Sequence, residues 1–301
     1  MRFSYWTGNG HPWSEIRTAC MHADSTGWDG IFIADHFMPF QGDRTGPIHE
    51  GWAMLAAIAA VTSQARLGTL VSGNTYRNPA HLAKTAATVD DISNGRCLIG
   101  LGAGWQENEH RAFGFDYGTV GDRSRWLEEA CEVIKALNDS PGGANFSGTR
   151  YSLVDAPLSP APVQRRLPLL IGGGGERRTL RTAARYADEW NVWGTPELIR
   201  DKLAILHAHC DDVGRDPSEI GVSAVALVML VESDAHANKL RERDFGRPTV
   251  IGMANEMVDA LKRYREVGVD EFVVPDFTMG AVAQRVETID RFQATVAAHL
   301  R

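Results

Sequence analysis

Cysteine and lysine are the scarce residues of this 301-residue chain. Its four cysteines, Cys20, Cys97, Cys131 and Cys210, lie far apart with no Cys-x-x-Cys pair, which removes the usual spacings for zinc, iron–sulfur and dithiol chemistry. Buried, inert thiols in a reducing compartment are the plain reading. Only five of the 31 basic residues are lysine, and the net charge of −7 argues against a grip on phosphate backbones, so nucleic acid is a poor partner. The bias to arginine, with abundant alanine, hints at a GC-rich genome. Long apolar runs are also missing. The longest, Ala53–Val61, is too short to span a membrane, and the chain runs from Met1 straight into a strand-like stretch without the features of a signal peptide. These absences describe a cytoplasmic protein with no membrane partner. No pair of histidines stands at a convincing metal spacing, so no bound metal is expected.

What is present is alternation. Short apolar or β-branched runs at Arg2–Trp6, Gly30–Ala34, Arg66–Val71, Cys97–Leu101, Leu167–Ile171, Glu189–Trp193, Ile220–Val231 and Glu271–Val274 read as strands. Amphipathic segments separate them, with left-handed stop signals at Gly27, Asn94-Gly95, Gly214 and Gly268. Eight strands and eight helices in strict alternation make a single α/β domain over residues 1–301, a (β/α)₈ TIM barrel, the economical architecture. Two insertion segments interrupt the repeat. Residues 138–166 read as a loop, a small hairpin and a Pro-rich return; residues 232–252 read as a long, polar loop near the barrel mouth.

In a parallel barrel the chemistry gathers after the carboxyl ends of the strands. His36, next to Asp35 after the second strand, is the best candidate for proton transfer, with Asp35 as the carboxylate that adjusts its basicity; a rim-capping histidine is the alternative. Gly172, Gly173, Gly174 and Gly175 follow the fifth strand and open a helix, an arrangement that lets backbone N–H groups approach a phosphate. A second cluster, Gly100, Gly102 and Gly104, mimics part of a dinucleotide fingerprint without completing it. Trp6, Phe37, Tyr76, Trp105 and Trp193 stand at strand ends and suit the wall of an apolar cavity, although core packing explains each one singly. His11 faces the same end.

Four runs carry a resemblance: GWDGIFIADHF at 27–37, RLGTLVSGNTYRNP at 66–79, DDISNGRCLIGLGAGW at 90–105 and IGGGGE at 171–176. In their order, along nearly the whole chain, they resemble the bacterial luciferase-like monooxygenase superfamily and, within it, the coenzyme F-420-dependent oxidoreductases. The resemblance implies a homodimer with a deazaflavin in the barrel mouth, and a hydride passed between it and a small-molecule substrate. It implies that Asp35 contacts the deazaflavin and His36 gives or takes the proton. A cis peptide bulge at Leu70-Val71 would back the ring, Asn74, Gly104, Trp105 and Asn108 would line it, and Gly172–Gly175 would hold its phosphate. Trp6, His11, Tyr76 and Trp193 would form the substrate pocket. Trp105 stands where sugar-phosphate dehydrogenases of this branch carry a glutamate, which speaks against a phosphorylated sugar. The alternatives are a two-component monooxygenase using FMN and a noncatalytic flavin-binding barrel.

Overall fold

A computed structural model describes residues 1–40 and 42–301. Eight parallel strands close into a barrel: β1 (Arg2–Thr7), β2 (Gly30–Ile33), β3 (Arg66–Thr69, continuing as Ser72–Gly73), β4 (Cys97–Gly102), β5 (Leu169–Gly172), β6 (Glu189–Trp193), β7 (Gly221–Val225) and β8 (Glu271–Pro275). Each pairs with its sequence neighbour, and β1 closes the ring on β8 with Phe3 opposite Phe272. The helices outside are α1 (Trp13–Ser25), α2 (Gly51–Val61), α3 (Pro79–Ser93), α4 (Val120–Asp139), α5 (Thr179–Tyr186), α6 (Pro196–Val213), α7 (Ala254–Glu266) and α8 (Val282–Thr295). Their ends follow local chemistry. Asn78 caps α3 just before Pro79, Thr195 caps α6 just before Pro196, and Asn94 and Gly214 end these helices in the left-handed region.

Most of the core lies between the sheet and the helices. A second, smaller cluster of Trp6, Phe32, Leu70, Leu98, Leu170, Val225 and Val273 fills the barrel itself. Each large side chain buried there contributes about 1.5–3 kcal/mol relative to exposure. Below it, Arg66 from β3 reaches across to Glu189 on β6 and Glu271 on β8.

Strand β3 carries a bulge. From Gly68 to Ser72 it takes four residue steps while β4 takes three, Leu98 to Leu101, so one extra residue is accommodated at Leu70 and Val71. The peptide bond joining these two residues is cis, at the place the resemblance implies. This bulge also explains the second glycine cluster. A Cβ at Gly100 would stand 1.9 Å from the Thr69 carbonyl oxygen, and one at Gly102 would stand 2.8 Å from the Val71 side chain. The glycines of β4 make room for the bulge of β3.

The two insertions divide differently. Within 138–166 the expected hairpin forms, with Ala144–Ser147 antiparallel to Ser152–Ala156. The stretch Ile220–Val231 is not one strand. β7 stops at Val225, and Leu227–Leu230 leaves the barrel to pair in parallel with Thr249–Gly252, a short helix at Asp234–Arg241 lying between them. The segment expected to be a loop is thus a small β-α-β excursion. Its helix buries only Ala237, so it lacks the apolar face that announces a helix in sequence.

Candidate functional site

A cavity of about 570 Å³ opens at the carboxyl ends of the barrel strands. Of the residues singled out from sequence, Trp6, Asp35, His36, Tyr76, Trp105 and Trp193 line it. So do the bulge residues Leu70 and Val71, together with Gly104 and the run Gly172, Gly173, Gly174 and Gly175. His11, Asn74 and Asn108 stand outside the lining. The His11 imidazole lies 3.7 Å from Asp276, a buried carboxylate that also accepts from the Tyr5 hydroxyl (2.7 Å) and the Gly8 N–H (2.9 Å), so it braces the loop after β1. Asn74 is buried, with neither side-chain polar atom partnered among the described residues, and Asn108 accepts from the Glu109 N–H at 3.0 Å.

The carboxylate that serves His36 is not Asp35. Asp35 is buried and gripped by the Arg77 guanidinium through two bonds, Nε at 2.8 Å and Nη2 at 2.6 Å, and the same Nη2 also donates to Glu50 at the cap of α2. His36 Nδ1 instead lies 2.9 Å from Glu109 Oε2. Glu109 belongs to a short helix, Glu107–Phe113, that follows β4, and its side chain is fully buried. It also accepts from the Tyr76 hydroxyl at 2.5 Å, from the Phe37 N–H and from the Met38 N–H at 3.3 Å. Burial opposes its charge, but the bonds from His36, Phe37 and Tyr76 outweigh that and hold the carboxyl below the usual range. Tyr76 is pushed the other way, by burial and then by Glu109, so it stays a neutral donor.

The consequence for His36 follows from the acceptor it meets. An ionised carboxylate accepts only, so Nδ1 carries a hydrogen and the lone pair rests on Nε2, which has no partner among the described residues. His36 is thus set to take a proton at Nε2 or, once protonated, to give one. His110, by contrast, is committed. Its Nδ1 lies 2.8 Å from the Gln106 carbonyl and its Nε2 lies 2.5 Å from the Thr75 hydroxyl, while burial lowers its pKa.

The tetraglycine run does not itself open a helix. Gly172 still belongs to β5, and α5 begins only at Thr179. The Gly173 N–H is spent on the Asn191 carbonyl at 2.9 Å. The N–H groups of Gly174 and Gly175 have no acceptor among the described residues, and the Lys202 side chain passes close to Gly174. A phosphate-sized anion therefore finds donors at the second half of the run.

Sequence reasoning missed Glu109, Arg77, Arg247 and Phe277. The last two line the cavity, Arg247 from the β-α-β excursion and Phe277 from just after β8. For Glu109 a signal existed, since the polar run after β4 continues one residue past Asn108. Among the described residues no group of three or more His, Cys, Asp and Glu is placed to hold a metal ion, and no helix is long and apolar enough to cross a membrane.

Comparison with known proteins places this geometry in a family. An F-420-dependent glucose-6-phosphate dehydrogenase from Amycolatopsis mediterranei is 34% identical over 170 residues, which cover 56% of this chain but only 48% of that relative. An F-420-dependent hydroxymycolic acid dehydrogenase from Mycobacterium tuberculosis is 28% identical over 263 residues, 86% of this chain and 70% of that one. Among solved structures, an F-420-dependent secondary alcohol dehydrogenase holding an F-420–acetone adduct superimposes with a TM-score of 0.84 at 20% identity, over 99% of this chain and 98% of its own. That likeness shows the same barrel. The model of the luciferase-like monooxygenase family matches residues 1–268, and this chain therefore belongs to that family.

Proposed function

We propose that this chain is an F-420-dependent oxidoreductase that transfers a hydride between the deazaflavin and a small organic substrate, with His36 handling the proton. One observation carries the reading. In the lining of a cavity of about 570 Å³, His36 is held through Nδ1 by Glu109 while Nε2 has no partner among the described residues. The two relatives whose names specify F-420 support the choice of cofactor.

The residues present fit such a group. Leu70 and Val71 of the bulge bring an apolar surface to the cavity, Gly102 and Gly172 leave room beside it, and the N–H groups of Gly174 and Gly175 offer donors for a tail phosphate. When bound, the deazaflavin supplies an obligate hydride donor or acceptor. The protein's part is then to orient the substrate carbon against the ring, exclude water with the aromatic rim, and move one proton at His36 Nε2. Asp35 acts through Arg77, fixing the loop that carries His36. The reading extends to a homodimer in the cytoplasm of an actinobacterium; the sources of the two relatives support the last element, and the mass in solution tests the dimer.

Titration with F-420 and with FMN, followed by tryptophan fluorescence, tests the reading, because Trp6, Trp105 and Trp193 all line the cavity. F-420 is expected to quench at micromolar concentration and FMN far more weakly. Saturation by FMN with no response to F-420 would replace this reading by an FMN-dependent monooxygenase.

A further inference from the structure

Where β6 meets the β-α-β excursion, the wall of the cavity holds one cation with no acceptor to meet it among the described residues. Arg247, in the turn between the Asp234–Arg241 helix and the Thr249–Gly252 strand, lays its guanidinium 4.6 Å from the centre of the Trp193 ring. It has no hydrogen-bonding or carboxylate partner among the described residues, and the one acid in the cavity lining, Asp35, is already taken by Arg77. Trp193 in turn packs on Trp6 at 5.7 Å, and Trp6 on Phe277 at 5.1 Å. The indole nitrogen of Trp6 is enclosed by protein, so Trp6 brings an apolar face to this wall. Around the guanidinium the rim is apolar and open: Phe40, Trp105 and Phe277 are each about half exposed.

We propose that the substrate is an organic acid whose carboxylate is bound by Arg247, and whose apolar body lies against Phe40, Trp105 and Phe277. Arg247 is exposed at the cavity mouth, and on its Trp193 side the guanidinium faces an aromatic wall that offers no acceptor. A carboxylate on that side supplies one, since its two oxygens match the planar guanidinium fork. A single cation on an aromatic wall suits a monoanion with an apolar body better than a doubly charged phosphate, which wants several cations. The proposal rests on the oxidoreductase reading only for calling this ligand the substrate.

The test uses the full chain and three probes: 4-phenylbutyrate, its neutral amide 4-phenylbutanamide, and inorganic phosphate. Binding is followed by tryptophan fluorescence, with and without F-420, for the wild type, Arg247→Leu and Arg247→Lys. The acid is expected to bind the wild type about ten-fold more tightly than the amide, the gain of one well-formed charged hydrogen-bonded pair. That preference should vanish in Arg247→Leu and survive in part in Arg247→Lys, while F-420 affinity stays within about two-fold in all three. Equal binding of acid and amide by the wild type overturns the proposal, as does phosphate competing as well as 4-phenylbutyrate. If Arg247→Leu weakens F-420 and leaves the acid preference intact, the guanidinium serves the cofactor's own anionic tail, and the proposal is again overturned. Acid preference in a protein that ignores F-420 upholds the acid site and removes the cofactor assignment instead.

Discussion

The two ends of this barrel treat polar groups in opposite ways. At the amino end of the strands Arg66 crosses the interior to meet Glu189 at 2.5 and 2.7 Å and Glu271 at 2.5 Å; Ser4 donates to Glu271 and Arg2 closes the set from 3.6 Å. Every charge there has a partner. At the carboxyl end His36 Nε2, the Arg247 guanidinium and the N–H groups of Gly174 and Gly175 have none among the described residues. Satisfied polar groups hold a fold together, and unsatisfied ones are what a ligand completes, so one scaffold keeps stability and function at separate ends.

Breaking the amino end should cost the most. Arg66→Met leaves the buried Glu271 carboxylate and Glu189 without their main partner, and the expected loss is about 3 kcal/mol of unfolding free energy in denaturant melts. Arg247→Leu at the other end should change stability by no more than about 0.5 kcal/mol. Equal losses from the two substitutions would erase the division.

The next largest effect belongs to His36. His36→Ala should lower turnover about 100-fold or more on any substrate the enzyme reduces or oxidises, while F-420 affinity changes little. Full activity in the variant would show that the proton moves elsewhere.

Glu109 spans both kinds of role, because it pairs fully and yet orients His36. Its carboxyl is held below the ordinary glutamate range in the folded chain, so the stability it contributes is complete above the unfolded value of about 4.3 and drains away as pH falls through the folded value. Glu109→Gln should therefore be about 1.5 kcal/mol less stable than the parent at pH 7, with the gap closing in acid. A gap that stays constant down to pH 3 would mean that the charge of Glu109 contributes nothing. Turnover should fall about ten-fold with little change in KM, because the amide still touches His36 but no longer supports a proton there.

The barrel was legible because its information is periodic: seven of the eight strand stretches and all eight outer helices follow from alternation and end signals, with boundaries moved by a few residues. The exceptions are contacts between segments distant in sequence. Nothing local says that Ile220–Val231 splits after Val225, since both halves are equally apolar and only pairing with Thr249–Gly252 separates them. Asp35 precedes His36 in sequence, but successive side chains point in different directions at a strand end, and the carboxylate that reaches the imidazole comes from 73 residues further on. The glycines of β4 mimic only part of a dinucleotide fingerprint, and what they make room for is the Thr69 carbonyl and the Val71 side chain. That His36 and the run Gly172–Gly175 line the cavity was legible because they stand at or just after strand ends, which is where a barrel exposes them.

The smallest effect gives the sharpest test of the phosphate site. Gly173 is a poor position to probe, because its φ of +119° strains any side chain and would confuse folding with binding. Gly174 is better. A Cβ there would meet Val192 at 3.5 Å and Lys202 at 3.6 Å, ordinary contacts, so Gly174→Ala should fold as the parent does. The added methyl nevertheless sits beside the free N–H groups of Gly174 and Gly175, where a phosphate has to come close. Binding of intact F-420 is expected to weaken about five-fold, about 1 kcal/mol, while the phosphate-free ring fragment binds as before. An equal loss for both ligands would place the run against the ring, and no loss for either would leave these donors to water.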